Sequence, residues 1–286
     1  MKLIIIGGLT NGKILIDYFL KKKNISIELI ITYPIHYNIP RYKNLNISDK
    51  YQIPVVYDLD ANKYFDLISK IKPDLIFVVG WSGMISQKII NLSKIGCIGF
   101  HPSKLPKDRG RSVIAWQIEE GKNRTSYTSF FMKKEPDTGD IIVQQNFKIE
   151  KNDYINAVLD KVDYALEKML PKIYTMMRKK KFVRIKQNLK LGNYRKVRND
   201  KNSLINWTKS AQDIYNKIRA ISRPYPGAFY IKNNIKVKVW KSKILNLKIN
   251  TNFIAGDVIK IYKNGNKVFM TNDKPILIYS NNNEKK

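Results

Sequence analysis

Cysteine and histidine are almost absent from this chain, which has one of the first and two of the second in 286 residues. A single cysteine, Cys97, excludes an internal disulfide framework and fits a reducing compartment. Lying in an apolar run, it reads as a core residue. Two well-separated histidines, His36 and His101, make no transition-metal ligand set, and the carboxylate spacing adds none, so no metal is expected. No apolar run approaches the roughly 18–20 residues of a membrane span. The opening MKLIIIGG is too short for a signal peptide and reads as a first strand. A cytoplasmic location is the expectation. Acids are scarce as well: 23 Asp and Glu stand against 53 Lys and Arg, a net charge of +30. Such a balance ordinarily points to nucleic acid. The chain is also crowded with Ile and Asn, however, a bias that spreads lysine widely without selecting a surface. No module with interleaved aromatic and basic residues is visible. A hydrophobic content of 43% with 11% aromatics excludes disorder, and the length suits two domains.

Short apolar runs alternate with helical segments through the first hundred residues. KLIIIG at 2–7, IELIIT at 27–32, Val55-Val56, DLIFVVG at 74–80 and GCIGF at 96–100 read as strands, with helical stretches ending near 23 and at 61–71. This pattern predicts βαβ units and an open, mostly parallel, Rossmann-like α/β sheet. Gly7-Gly8 is no dinucleotide fingerprint, because the third glycine is missing from its spacing. The loop 33–46 is long for a compact domain, and it carries His36, Arg41 and Lys43 among three tyrosines. It suits either a substrate cover or a solvated insertion. Further on, a helix is predicted to start near Ser112 as its cap, followed by a strand of mixed faces at 125–132 and another at 141–149. The segment after 152 is helical with an apolar stripe, whose methionines Met169, Met176 and Met177 read as core. Residues 172–201 hold twelve Lys or Arg and one acid, Asp200. This basic stretch suits a solvated crossing, a contact for the phosphates of a nucleotide sugar, or a tRNA contact. From 234 the runs IKVKVW, ILNLKI, DVIKIY, KVFM and ILIY alternate as strands, with Asn264-Gly265 a hairpin signal. They predict a small antiparallel β-barrel. The expected domains are 1–180, a basic linker 181–206, and 207–286 with a helix and the barrel.

The segment with the most chemical content runs from Gly96 to Asp140. His101 ends the strand IGF, and Asp137 follows thirty-six residues later in the turn DTGD. Such a layout brings a carboxylate beside an imidazole at the open edge of a parallel sheet, where these folds place ligands. A carboxylate neighbour raises the basicity of a histidine and fixes which nitrogen carries the hydrogen. The pair suits removal of a proton from an attacking amine. Between them Pro102, Pro106 and Gly110 stiffen a loop bearing Lys104, Lys107, Arg109 and Arg111, a positive surround for an anionic ligand. Trp81 and Ser82 follow the end of another strand and are expected to line the same site.

GCIGFHPSKLPKDRG followed by DTGDII resembles the 10-formyltetrahydrofolate-dependent formyltransferases, whose usual pattern is Asn-x-His-Pro-Ser-Leu-Leu-Pro-x-x-Arg-Gly and then Asp-x-Gly. A second counterpart lies in Trp207, Arg219-Ala220 and the Pro226–Phe229 turn, which in the family leads into a small barrel of the oligonucleotide-binding type. The resemblance implies that His101 and Asp137 are catalytic and that Gly99 stands where the family has an asparagine on the carbonyl side. It implies 10-formyltetrahydrofolate as formyl donor, with Trp81, Ser82 and Asp140 on the donor side. Ser103, Lys104, Lys107, Arg109 and Arg111 are then the acceptor-binding candidates. The implied acceptor is the amine of a nucleotide-linked amino sugar. Initiator methionyl-tRNA is the alternative, and a non-catalytic folate- or nucleotide-binding homologue the second one. A homodimer is left open.

Overall fold

Unbroken Ile, Leu and Val runs can be buried on both faces, and here they build the centre of a parallel sheet. The protein is described from a computed structural model covering residues 1–34, 52–247 and 252–280. His36, Arg41 and Lys43 of the long loop, and the last six residues, lie outside the described residues. The chain forms two units, one of Met1–Gly110, Arg124–Phe147 and Asp160–Arg195, the other of Arg111–Asn123, Lys148–Leu159 and Lys196–Lys286.

The first unit holds the strands β1 (Lys2–Gly7), β2 (Ser26–Thr32), β3 (Val55–Tyr57), β4 (Leu75–Val79), β5 (Gly96–His101), the two-residue β6 (Arg109–Gly110), β7 (Arg124–Phe131) and β8 (Ile141–Lys148), and the short β9 (Tyr194–Arg195). Its helices are α1 (Leu9–Leu20), α2 (Phe65–Ile71) and α3 (Gln87–Ile90). Seven strands form one sheet in the order β3-β2-β1-β4-β5-β7-β8. From β3 to β5 the pairing is parallel, and β7 joins β5 antiparallel. β1 and β4 are completely or almost completely buried, as continuous apolar runs should be. The strand order reverses between β1 and β4, which opens a crevice at their C-terminal ends. β7 departs from the predicted mixed faces: apart from Arg124 it is buried throughout.

The second unit contains α4 (Val113–Glu119), α6 (Asp200–Ser203) and α7 (Ala211–Ile221), with β10 (Ala228–Lys232), β11 (Ile235–Val239), β12 (Ser242–Ile244), β13 (Val258–Ile261), β14 (Lys267–Phe269) and β15 (Ile276–Ile278). The 24-residue α5 (Ile155–Arg178), which belongs to the first unit from Asp160 on, runs through the predicted apolar-striped segment, with Met169 and Met177 buried. The C-terminal strands are antiparallel, as expected, but fall into two sheets among the described residues: β12-β15-β14-β13 and a ribbon β10-β11. IKVKVW pairs with Ala228–Lys232, a run read in the sequence only as the end of a turn. Asn264-Gly265 does close a hairpin, with Gly265 at φ +82°. Trp207 stacks on Phe269 at 4.4 Å between ring centroids and meets Tyr230, a nucleus for this unit. The buried Arg219 of α7 staples the unit by donating from Nη1 to the Asp153 carbonyl (2.9 Å) and from Nη2 to that of Ile118 (3.3 Å). Ser112 precedes α4 in the left-handed region (φ +56°) and makes no side-chain capping bond, contrary to expectation. Its hydroxyl accepts from the backbone of Arg198 instead.

Candidate active site

His101 is the last residue of β5 and is 6% exposed. Its Nε2 lies 2.7 Å from the carbonyl oxygen of Asp108. A carbonyl can only accept, so Nε2 carries the hydrogen. Nδ1 faces the carboxylate of Asp137, whose Oδ1 is 3.6 Å away. That separation exceeds hydrogen-bond range, and Asp137 therefore acts on the ring through its charge. The second carboxylate oxygen is anchored, accepting the backbone N–H of Gly110 at 2.8 Å. The histidine is thus bracketed by two acceptors, one fixed through the loop 102–110 and one through the turn 133–140.

Both bracketing residues sit in the left-handed region, Asp108 at φ +55° and Asp137 at φ +58°. Aspartate tolerates that conformation better than most residues, but it persists only where neighbours enforce it. The DTGD turn is enforced by Gln187, whose Nε2 donates to the carbonyls of Asp137 (3.0 Å) and Gly139 (2.6 Å). Gly139 is required there, because a Cβ would stand 1.5 Å from the Phe131 carbonyl oxygen.

The other sequence candidates divide. Trp81 stacks on Tyr33 (4.6 Å, 21°) at the ends of β4 and β2, beside the crevice where the strand order reverses. The backbone N–H of Ser82 donates to the Tyr33 hydroxyl at 2.8 Å. Gly8 allows this stack, since a Cβ there would fall 2.4 Å from the Tyr33 ring. Trp81 Nε1 is buried without a hydrogen-bond partner. Asp140 closes the β7–β8 turn, pairing with Lys133 at 3.0 Å and accepting the N–H of Phe131. Lys104, Lys107 and Arg111 are exposed. Ser103 and Arg109, by contrast, face inward. The Ser103 hydroxyl donates to the Lys107 carbonyl at 2.7 Å, and the Arg109 guanidinium lies 4.2 Å from the Tyr194 ring centroid. Both shape the loop rather than reach out from it.

Gly99 shares the face of β5 with His101 and pairs with Phe130 across the ladder. A Cβ at Gly99 would meet Phe130 Cζ at 2.9 Å and Met132 Cγ at 3.0 Å. The space for a side chain beside His101 is filled by a phenylalanine. Cys97, one turn of the pleat earlier, is buried as expected, and burial pushes its thiol up, away from reactivity. Asp108, Gln187, Asn193 and Arg195 are the residues that sequence reasoning passed over. The last three lie in the basic stretch, where composition hid single polar side chains with long-range partners. Among the described residues no group of three or more His, Cys, Asp or Glu could hold a metal, and no helix is long and apolar enough to cross a membrane.

Residues 4–174 match the family described as Formyl transferase, and residues 198–286 match Formyl transferase, C-terminal domain. The bifunctional polymyxin resistance protein ArnA of Wigglesworthia glossinidia brevipalpis is 38% identical over 69% of this chain and 30% of its own length. The methionyl-tRNA formyltransferase of Clostridioides difficile is 30% identical over 90% of this chain and 78% of its own. That of Desulforamulus reducens is 34% identical, and the chain spans 63% of its length. Among solved structures, an N-formyltransferase from Helicobacter canadensis in complex with folinic acid and dTDP-3-aminofucose superposes with a TM-score of 0.72 at 21% identity, covering 98% of this chain and 99% of that one. At that identity the likeness speaks for the fold.

Proposed function

The chain belongs to the formyl transferase family, and on that premise we propose that it moves a formyl group from 10-formyltetrahydrofolate to the primary amine of a nucleotide-linked amino sugar. The observation that carries the reading is His101 held between the Asp108 carbonyl and the Asp137 carboxylate at the C-terminal end of β5. With its hydrogen on Nε2, the ring has its lone pair on Nδ1. An amine that attacks a formyl carbon becomes acidic as the new C–N bond forms. Nδ1 takes that proton, and the imidazolium so formed lies against Asp137. The proton then passes to the leaving nitrogen of the donor as its bond to the formyl carbon breaks. The donor supplies an activated formyl group. Trp81 and Ser82, beside the crevice at the end of β4, are our candidates for the donor side, and Trp81 Nε1 is buried without a hydrogen-bond partner. Phe130 gives the carbonyl side of the site an apolar wall where the family carries an amide.

In favour of the sugar acceptor stands the fold shared with a sugar 3N-formyl transferase and with the N-formyltransferase in complex with dTDP-3-aminofucose. A second reading, methionyl-tRNA as acceptor, is favoured by one observation: relatives named for that activity align over 90% and 97% of this chain. The test is a mass-spectrometric transfer assay with 10-formyltetrahydrofolate, offering aminodeoxysugar nucleotides and charged initiator tRNA side by side. One formyl group gained by a sugar supports the first reading. A gain by the tRNA alone replaces it with the second, and no transfer to either, with folate bound, favours a non-catalytic homologue.

A further inference from the structure

The segment Gly192–Arg195 grips the loop that carries Asp108 through both backbone and side-chain hydrogen bonds. Tyr194 and Arg195 pair in parallel with Arg109 and Gly110. The Arg109 N–H donates to the Asn193 carbonyl at 3.0 Å. Asn193 Oδ1 accepts the backbone N–H of Asp108 at 2.9 Å, and its Nδ2 lies 3.3 Å from Asp108 Oδ1. Arg195 Nε donates to the same carboxylate oxygen at 2.8 Å. The approach is close enough that a Cβ at Gly192 would stand 2.2 Å from the Pro106 carbonyl oxygen.

These contacts converge on a residue whose side chain is 4% exposed and whose backbone is in the left-handed region. A buried carboxylate needs a cation and donors, and a non-glycine residue at positive φ needs enforcement. Arg195 and Asn193 supply both. What Asp108 offers in return is its carbonyl, 2.7 Å from His101 Nε2. The direction of that carbonyl follows from the peptide plane, which the side-chain and N–H anchors fix together. Without the side-chain anchors that plane is held only by the Arg109 N–H on the Asn193 carbonyl, so the carbonyl gains freedom to turn from the ring, and the acceptor that keeps its hydrogen on Nε2 weakens.

We infer that Asn193 and Arg195 are positioning residues for the catalytic histidine, holding the Asp108 carbonyl on Nε2 so that Nδ1 stays unprotonated toward Asp137. The inference rests on the reading of His101 as proton acceptor, but its test does not depend on turnover alone. With two histidines in the chain, a His36→Gln background leaves His101 as the one histidine signal in ¹⁵N-histidine-labelled full-length protein. Long-range ¹⁵N–¹H spectra then separate the two neutral tautomers. In that background His101 is expected to carry its hydrogen on Nε2. Arg195→Ala and Asn193→Ala are each expected to give a mixture of tautomers and to lower kcat on the order of 10- to 100-fold, with a smaller change in KM. Arg195→Lys, which keeps a cation without the Nε geometry, should fall between. A hydrogen on Nδ1 in the unaltered loop overturns the inference. So does an unchanged tautomer in both alanine variants, whatever happens to kcat, since a rate loss without a tautomer change makes these residues substrate contacts. If Arg195→Ala does not fold, Asn193→Ala carries the test. If no acceptor is formylated by the unaltered protein, the proposed function fails while the spectra still decide the positioning.

Discussion

Two acidic sites in the first unit solve opposite problems. On the loop after β5, Asp108 is nearly fully buried, yet Arg195, Asn193 and the backbone surround it with donors. On α5, Asp163 is partly buried and accepts from Asn11 Nδ2, but its ionised form is opposed by burial and by the neighbouring Asp160 and Glu167. Its pKa is raised to about 7. The lesson is that burial by itself says little about an acid. A paired carboxylate fixes geometry, while one facing like charges becomes a titrating group.

Breaking the first site at its centre has the largest expected effect. His101→Ala should lower formyl transfer on the order of 100- to 10,000-fold, the usual worth of a general base, with the circular-dichroism spectrum and folate binding retained. Unchanged turnover would remove the histidine from the mechanism. Next is Asp108→Ala, which strands Arg195 and places an alanine at positive φ. It should cost about 3–5 kcal/mol in a denaturant titration, and a loss under 1 kcal/mol would mean the pairing contributes little.

A smaller loss is expected from Gly99→Asn. The new side chain meets Phe130 and Met132, so overpacking should cost about 1–3 kcal/mol. Combining it with Phe130→Ala should recover part of that loss. If the single variant is as stable as the parent, the phenylalanine wall yields more easily than its burial implies.

The mildest change, of opposite sign, is Asp163→Asn. A carboxyl whose folded pKa is raised binds its proton more tightly in the folded state. Its contribution is fully present below pH about 4 and is lost as pH rises through about 7. The asparagine variant should therefore gain on the order of 1 kcal/mol at pH 8, after allowance for solvent screening. At pH 4 it should gain nothing. Equal stability differences at both pH values would dismiss the titration. Set beside Asp108→Ala, the pair tests the contrast directly: removing one acid should weaken the fold and removing the other should strengthen it.

Much of this architecture was legible. The runs around Ile4, Val78 and Ile98 are apolar without alternation, which marks strands buried on both faces, and the sheet follows from them. His101 and Asp137 stood out because a rare residue ends one strand and a DTG turn leads into another. Other features could not be read. Arg109 looked like part of a positive loop, yet its side chain turns onto Tyr194. Ser112 looked like a cap, but its hydroxyl serves Arg198. Asn193 and Arg195 were lost in a run of cations, because a lysine-rich composition makes any single basic residue uninformative.

The sequence by itself determined the alternation of strands and helices, the placement of Trp81 and His101 at the ends of β4 and β5, and the family. Periodicity and local turn chemistry act over a few residues, so a linear reading captures them. Only the tertiary structure decided that Phe130 occupies the space beside His101, that Nε2 rather than Nδ1 meets a carbonyl, and that Gly192–Arg195 returns to grip the loop 106–110. The last of these depends on contacts between residues some eighty positions apart, and the phenylalanine wall on the pairing of β5 with β7, neither of which any local preference of the chain sets.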